Sequence, residues 1–353
     1  MERYLATLDH EEVLVRRGKR SGLFSIVAVH STSLGPALGG CRMWRYGDSR
    51  LALRDALRLS RAMTYKSAVA GLPLGGGKGV IILPAEGTAT PPREDVLLDF
   101  ADTVEALGGR YVTAEDVGTS AKDMEVIARG TRHVSGLSRR RGGSGDPSPL
   151  TALGVQVAIA ASCERVFGST SLQGRSVCVA GLGHVGMRLA KGLLKAGATV
   201  IATDVDTTKR AEVVAAGARW IGHERALAQK ADVFAPCALG GVLDHVSIEA
   251  LKAPIVAGAA NNQLADDAVA DELRRRGILW APDFVANAGG IINIAVELEP
   301  GGYDAARART RVRGIADTLR RIYDDAERHD TTPLSAALDL AAERLEPARR
   351  PPA

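Results

Sequence analysis

Ser176-Val-Cys-Val-Ala-Gly181-Leu-Gly183-His184-Val185-Gly186 runs from an apolar stretch through three spaced glycines into a helical pattern. Each glycine has a separate reason. Gly181 permits a tight turn, Gly183 lets a phosphate approach backbone N–H groups, and Gly186 lets the helix pack closely. The helix N-terminus then attracts negative charge. A GxGxxG string alone is weak evidence, and a bare strand–helix turn would also satisfy it. Here a second apolar run, Thr199–Thr203, ends at Asp204, near the expected spacing of about 20 residues. An acidic residue there accepts hydrogen bonds from ribose hydroxyls and repels a 2′-phosphate. The motif predicts a dinucleotide site that favours NAD over NADP, with Lys209 and Arg210 nearby to soften the preference.

The surrounding rhythm agrees. A helix over 151–167, the strand Ser176–Ala180, a helix over 184–196 and the strand Thr199–Thr203 are followed by a helix over 207–216. The strand Asp232–Ala235, a helix over 247–251 and the strand Pro254–Ala257 continue the pattern. Strands alternating with helices imply a parallel, doubly wound α/β sheet. Upstream lie a strand at Leu23–His30, a helix over 49–64, a strand at Val80–Leu83 and helices over 93–107 and 121–130. The polar, glycine-rich stretch 139–149 reads as a hinge or exposed loop. Two domains are expected: residues 1–138, and a dinucleotide-binding domain over 139–328. Residues 329–353 are expected to pack back on the first, with Thr331-Thr332-Pro333 capping a last helix that stops before Pro347.

Composition narrows the classes. At 353 residues and 46% hydrophobic content, two packed cores are affordable in length and material. A net charge of +4, spread along the chain, argues against a nucleic-acid partner. The densest basic run, Arg139-Arg140-Arg141, reads as a solvated loop. Cys41, Cys163, Cys178 and Cys237 form no CxxC pair, so neither a disulfide framework nor a zinc site is expected. Met1-Glu-Arg-Tyr-Leu5 lacks the pattern of a signal peptide. The longest apolar tract, taken as 277–298, is interrupted by Pro282, Asp283, Asn287 and Asn293, which does not suit a membrane helix. A cytoplasmic location follows as the expectation.

The chemistry points to two lysines and one aspartate. Lys66 ends Met-Thr-Tyr-Lys, Lys78 follows Gly75-Gly76-Gly77, and Asp116 lies in Thr-Ala-Glu-Asp-Val-Gly. Glycines let backbone and substrate approach closely. Two ammonium groups in one cleft repel each other and lower at least one pKa, so one lysine can hold a carboxylate while the other does base chemistry. The bland alternatives are a surface lysine in a flexible loop at position 78 and a helix N-cap at Asp116. A triphosphate-binding P-loop is excluded, because Leu72 and Gly79 occupy positions where it needs Gly and Ser or Thr.

Several longer strings resemble the Glu/Leu/Phe/Val dehydrogenase family, above all its leucine, valine and phenylalanine branch. They are Leu34-Gly-Pro-Ala-Leu-Gly-Gly40, Asp55 through Met63-Thr-Tyr-Lys66, Leu74-Gly-Gly-Gly-Lys78 and Arg110 through Glu115-Asp-Val-Gly118. Pro147 through Gly154, Phe234 through Gly241, Ala259-Ala-Asn-Asn-Gln263 and Ala281 through Asn293 complete the set. The resemblance runs from about residue 20 to residue 345. It implies an N-terminal α/β substrate domain, a C-terminal Rossmann domain with a cleft between them, and a homo-oligomer. The implied reaction is reversible oxidative deamination of an L-amino acid to a 2-oxo acid and ammonia with NAD.

By the same resemblance Lys66 holds the substrate carboxylate, helped by the backbone at Gly39 and Gly40. Lys78 activates water for attack on the imine, and Asp116 shuttles protons to and from the amino group. Asn262 joins the substrate site, and Leu38, Ala114, Ile291 and Ile294 line the side-chain pocket. Cofactor contacts are implied for Gly181, Gly183, His184, Val185, Gly186, Asp204, Thr151, Cys237, Ala238, Ala260, Asn261 and Asn262, with no metal. Gly289-Gly290 is expected to admit the cofactor. Cys41 stands where relatives carry Thr, beside the expected carboxylate site. An apolar pocket with two isoleucines suggests leucine, valine or isoleucine, with phenylalanine second. A silent NAD-binding paralogue and a hydroxy-acid dehydrogenase remain as alternatives; the second wants a His–acid pair, and His133, His184 and His223 sit in no such motif.

Overall fold

The structure is a computed structural model and describes residues 8–349. The Met1–Leu5 reading and the last four positions of the 329–353 expectation lie outside the described residues. The chain divides into two compact units. One comprises the chain up to Asp146, Ile294–Asp304 and the chain from Ala341; the other is Pro147–Asn293 with Ala305–Leu340.

The first unit contains β1 (Glu12–Arg17), β2 (Phe24–Ser31), β3 (Ala37–Arg45), α1 (Ser49–Val69) and β4 (Gly75–Leu83). α2 (Arg93–Glu105), β5 (Tyr111–Glu115) and α3 (Ala121–Ile127) follow. The sheet order is β1-β2-β4-β3-β5. β1 and β4 flank β2 antiparallel, whereas β3 runs parallel to both β4 and β5.

Alternation along the strands builds two layers of core. Val27, Val29, Cys41, Met43 and Ile81 face Phe100 and Val104 of α2 and Met124 and Ile127 of α3. Ile26, Ala28 and Val80 face Ala52, Ala56 and Leu57 of α1. Each large side chain buried this way contributes about 1.5–3 kcal/mol.

β1, β3 and β5 were not anticipated as strands. β3 reads Ala-Leu-Gly-Gly-Cys-Arg-Met-Trp-Arg, whose glycines and charges hide the period-two signal. β4 begins at Gly75, well before the expected Val80, because its glycines are dictated by neighbours rather than by a loop. A Cβ at Gly79 would lie 2.5 Å from the Phe100 ring, and one at Gly77 would lie 2.6 Å from the Tyr111 ring.

The second unit contains α4 (Ser148–Phe167), β6 (Ser176–Ala180), α5 (His184–Lys195), β7 (Thr199–Thr203), α6 (Lys209–Ala215) and β8 (Arg219–Trp220). β9 (Val233–Pro236), α7 (Ser247–Ala250), β10 (Ile255–Val256), α8 (Ala268–Arg275), β11 (Leu279–Trp280) and α9 (Asp283–Ala286) extend it. α10 (Gly289–Glu297) begins in this unit, and α11 (Ala305–Arg313), α12 (Ile315–Arg328) and α13 (Pro333–Arg349) follow. The strands pair in parallel in the order β11-β10-β9-β6-β7-β8, the expected doubly wound sheet.

α4 is long and apolar enough to cross a bilayer by length and composition, and the sequence reading passed over it in favour of 277–298. Half of it is buried inside the protein. Val155, Ala158 and Ile159 are fully enclosed, and Gly154 leaves room for Ile315 of α12. It is a core helix of this unit.

The division falls at Asp146/Pro147 rather than at 138/139. Arg139–Arg141 form one exposed 3-10 turn. The stretch behind it is tied into the first unit, where the Ser144 N–H donates to Glu297 at 2.8 Å and the Gly145 N–H donates to the Leu137 carbonyl at 3.0 Å. Residues 329–340 group with the second unit, because Leu334 and Leu338 pack into the core around Val269 and Leu273. Thr332 caps α13 by accepting from the Ser335 N–H at 3.1 Å, and the helix continues past Pro347.

Candidate active site

One face of the first sheet gathers the chemistry. In β3, Leu38 is opposite Gly76 of β4, and Gly40 is opposite Ala114 of β5. Alternate residues share a face, so Leu38, Gly40 and Arg42 lie with Lys78 and Val80, and with Val112, Ala114 and Asp116. α1 covers this face. A Cβ at Gly76 would lie 2.1 Å from the Thr64 backbone nitrogen, so the missing side chain is what lets α1 settle on β4. Lys66 follows in the last turn of that helix, half-buried. Arg344 of α13 donates to the Ala68 and Val69 carbonyls and ties down the helix end.

Lys78 is only 5% exposed and lies mid-strand, which removes the flexible-loop alternative. Its Nζ donates to Asp116 Oδ2 at 2.6 Å. Gly40 makes this approach possible, since a Cβ there would meet the Asp116 Cβ at 2.7 Å. Asp116 is not the cap of α3. Its N–H donates to Thr119 Oγ1, while Ser120 and Asp123 form the capping box.

Burial pushes the Lys78 ammonium below the ordinary lysine range; Asp116 opposes this and Arg42 adds to it. The sequence expectation is burial beside another cation, and the cation among the causes here is Arg42. Burial also pushes the Asp116 carboxyl up, but Lys78 and Arg42 together outweigh it and hold the group below the usual carboxylate range. Cys41 does not reach this site. Its side chain points into the opposite core with Met43 and Phe100, and burial pushes its thiol up.

In the second unit the glycine turn closes β6 at the point where sheet order reverses, between β6 and β9. Open α/β sheets bind ligands at such a point. Gly181 has φ +107°, and a Cβ on it would strike Ala238 at 2.7 Å. Gly186 packs against the Gly181 carbonyl, where a Cβ would lie 1.9 Å away. Gly183 differs: nothing lies within 4 Å of its Cβ position, at the mouth of α5 beside the exposed His184 and half-buried Val185. Asp204 accepts from the Leu182 N–H at 2.5 Å and so braces the turn. These residues fit a dinucleotide.

Cys237 and Ala238 follow β9, and the loop 259–262 follows β10, on the same side of the sheet. Asn261 Oδ1 accepts from Asn287 at 2.8 Å. Asn262 adopts φ +51°, is exposed, and its carbonyl accepts from the Gly241 N–H at 2.7 Å. Ala260 is buried beneath them. Thr151 Oγ1 bonds back to Pro147, and a Cβ on Gly290 would meet it at 2.9 Å. Gly289 likewise abuts Leu150, so the glycine pair admits the start of α4. Among the described residues, no cluster of His, Cys, Asp and Glu fits a metal ion.

Residues 10–133 match the family model described as the Glu/Leu/Phe/Val dehydrogenase dimerisation domain, and residues 202–350 match the Glutamate/Leucine/Phenylalanine/Valine dehydrogenase model. Leucine dehydrogenase of Bacillus subtilis (strain 168) is 43% identical over 350 residues, covering 99% of this chain and 94% of that protein. The chain belongs to the Glu/Leu/Phe/Val dehydrogenase family. Valine dehydrogenase of Streptomyces virginiae is 46% identical, covering 96% and 95%. Among solved structures, L-tryptophan dehydrogenase from Nostoc punctiforme aligns with a TM-score of 0.85 at 38% identity, covering 99% of this chain and all of that one.

For a family member, one contact at this site stands outside the sequence expectations. Arg42 Nε donates to Asp116 Oδ2 at 3.0 Å, and its Nη1 donates to Asp55 Oδ2 at 2.8 Å. Its position two residues past Gly40, on the face that carries Lys78, was the available signal. A cavity of about 800 Å³ lies on the far side of Arg42, lined by Trp44, Tyr46, Arg58 and Arg61 among others. Arg42 and Asp55 line it as well, whereas Lys66, Lys78 and Asp116 are not among its lining residues. Of the expected pocket residues, Leu38 and Ala114 share the Lys78 face, and Ile291 and Ile294 lie on α10.

Proposed function

We propose that the protein catalyses reversible oxidative deamination of a branched-chain L-amino acid, leucine, valine or isoleucine, to its 2-oxo acid. The products are ammonia and NADH, and one water is consumed. The observation that carries this reading is the buried Lys78–Asp116 pair on a sheet face opened by Gly40 and Gly76. NAD⁺, when bound, supplies the hydride acceptor, and the glycine turn with Asp204 is the part of the chain that holds it.

Lys66 holds the substrate carboxylate as a point charge. Asp116 takes a proton from the substrate ammonium, leaving the amine free to become an imine. Lys78, in its uncharged form, takes a proton from the water that attacks the imine carbon. The proton then moves to the departing nitrogen, which leaves as ammonia. Positioned proton transfer of this kind contributes about 10²–10⁴-fold. Lys78 is suited to it because burial favours the uncharged amine.

The leucine and valine dehydrogenases among the relatives support an aliphatic substrate, as do Leu38, Ala114, Ile291 and Ile294. The tryptophan dehydrogenase neighbour supports an aromatic second reading. A panel of L-amino acids assayed for NADH formation, repeated with NADP⁺, separates them. The highest kcat/KM is expected with leucine, valine or isoleucine and NAD⁺. Highest activity with tryptophan or phenylalanine would replace the branched-chain reading, and no activity with any amino acid would leave a silent paralogue.

The protein acts in the cytoplasm in this reading, consistent with four free cysteines, three of them buried. Copies of the chain associate through the first unit, whose family model is described as a dimerisation domain.

A further inference from the structure

Asp116 is held by two cations on one atom. Lys78 Nζ and Arg42 Nε both donate to Oδ2, at 2.6 and 3.0 Å. Oδ1 has no hydrogen-bond partner among the described residues. A carboxylate that must take a proton from a substrate needs one oxygen fixed and the other free. Lysine alone cannot impose that, because an ammonium rotates about its stem and bonds either oxygen equally well. A guanidinium is planar and rigid, so one anchored at its far end presents its Nε–H to a chosen oxygen along a fixed direction.

Arg42 is itself fixed. Its Nη1 bonds Asp55 Oδ2, and the same oxygen accepts from the Tyr46 hydroxyl at 2.8 Å, while Arg58 holds Asp55 Oδ1 at 3.1 Å. Asp55 lies on α1 and Tyr46 just past the end of β3. The arrangement runs from helix to strand to carboxylate, and the guanidinium is half-buried.

We propose that Arg42 is a positioning residue for the deamination, fixing the Asp116 carboxylate so that Oδ2 faces Lys78 and Oδ1 is left for the substrate amine. This rests on Asp116 as the proton carrier. A second consequence concerns protons. The charged and titratable groups packed around Asp116 are Lys78, Arg42, Asp55, Arg58 and Tyr46, with the Cys41 thiol behind the sheet. Arg42 is the member that lowers the proton affinity of both Asp116 and Lys78.

The alternative is an ion pair that only steadies the fold. That role predicts a change in Tm with kcat and the pH profile of kcat/KM unmoved. The test compares Arg42→Gln, Arg42→Lys, Asp55→Asn and Asp116→Asn in the full-length protein. It measures kcat and KM for the amino acid, the pH profile of kcat/KM, NADH binding by fluorescence, and Tm.

Arg42→Gln is expected to lower kcat about ten- to a hundredfold, the scale of a misplaced reacting group, with NADH binding and Tm near wild type. Its acid limb should move to higher pH, because both groups then hold their protons more tightly. Arg42→Lys should bring that limb back towards wild type while kcat stays reduced, since one ammonium cannot bridge Asp55 and Asp116. Asp55→Asn should give a smaller fall in kcat, and it serves as the probe should Arg42→Gln not fold.

Wild-type kcat in Arg42→Gln, or a kcat loss with an unmoved acid limb, overturns the proposal. If Asp116→Asn turns over normally, the underlying reading of Asp116 fails instead, and the two failures are distinct.

Discussion

In the proposed mechanism, burial is the largest influence that suits Lys78 to act as a base. Replacing it by alanine is expected to cut deamination by about 10²–10⁴-fold while leaving NADH binding intact; retained turnover would remove Lys78 from the mechanism. The pH behaviour of two neighbours provides a sharper check. Asp116 raises the proton affinity of Lys78, and Arg42 lowers it. The acid limb of residual activity should therefore move to lower pH in Asp116→Asn and to higher pH in Arg42→Gln. Shifts in the same direction would mean that the limb reports some other group. Lys78 was legible as a candidate in the sequence because three glycines precede it, and Lys66 and Asp116 because they lie in strings that resemble the family. Arg42 was not, since its importance lies in strand alternation along a segment not read as a strand.

At the scale of elements, β4 shows why glycine misleads a sequence reading. Five of its nine residues would ordinarily argue against a strand: Gly75, Gly76, Gly77, Gly79 and the charged Lys78. Each missing side chain is claimed by a neighbour: the Tyr111 ring at Gly77, the Phe100 ring at Gly79, α1 at Gly76 and the Ser31 carbonyl at Gly75. Information of that kind is in the partners and not in the segment. Gly76→Ala tests it. The new methyl would stand 2.1 Å from the Thr64 nitrogen and 2.6 Å from the Ser60 carbonyl oxygen, backbone atoms that cannot swing aside. The cost expected from overpacking is about 1–3 kcal/mol. Because α1 carries Lys66, its displacement should also raise KM for the amino acid. Thermal unfolding and steady-state kinetics measure the two effects. An unchanged Tm with unchanged KM would show that α1 does not depend on that glycine for its seat.

For the molecule as a whole, the parallel sheet was legible because four of its six strands, β6, β7, β9 and β10, alternate with helices in the sequence, whereas the two-residue edge strands β8 and β11 are too short to signal themselves. The division of the chain was less so: Asp146/Pro147 is set by hydrogen bonds from residues 144–145 to Glu297 and Leu137, and Glu297 is remote in sequence. Two units with separate duties predict separable losses. Gly183→Val should leave the fold untouched, because nothing lies within 4 Å of the position where its Cβ would go. It should nevertheless block phosphate approach to the turn. Ligand binding stabilises by about 2.7 kcal/mol at one hundred times Kd, so wild type and Lys78→Ala should both show a higher Tm with saturating NADH. Gly183→Val should start from the same Tm and gain none. The reason is chemical rather than structural: in the proposed mechanism Lys78 acts on the water that attacks the imine, whereas Gly183 only makes room for the cofactor. Should Gly183→Val keep the full NADH shift, the glycine turn is not where the pyrophosphate sits, and the assignment of the second unit to the cofactor falls with it.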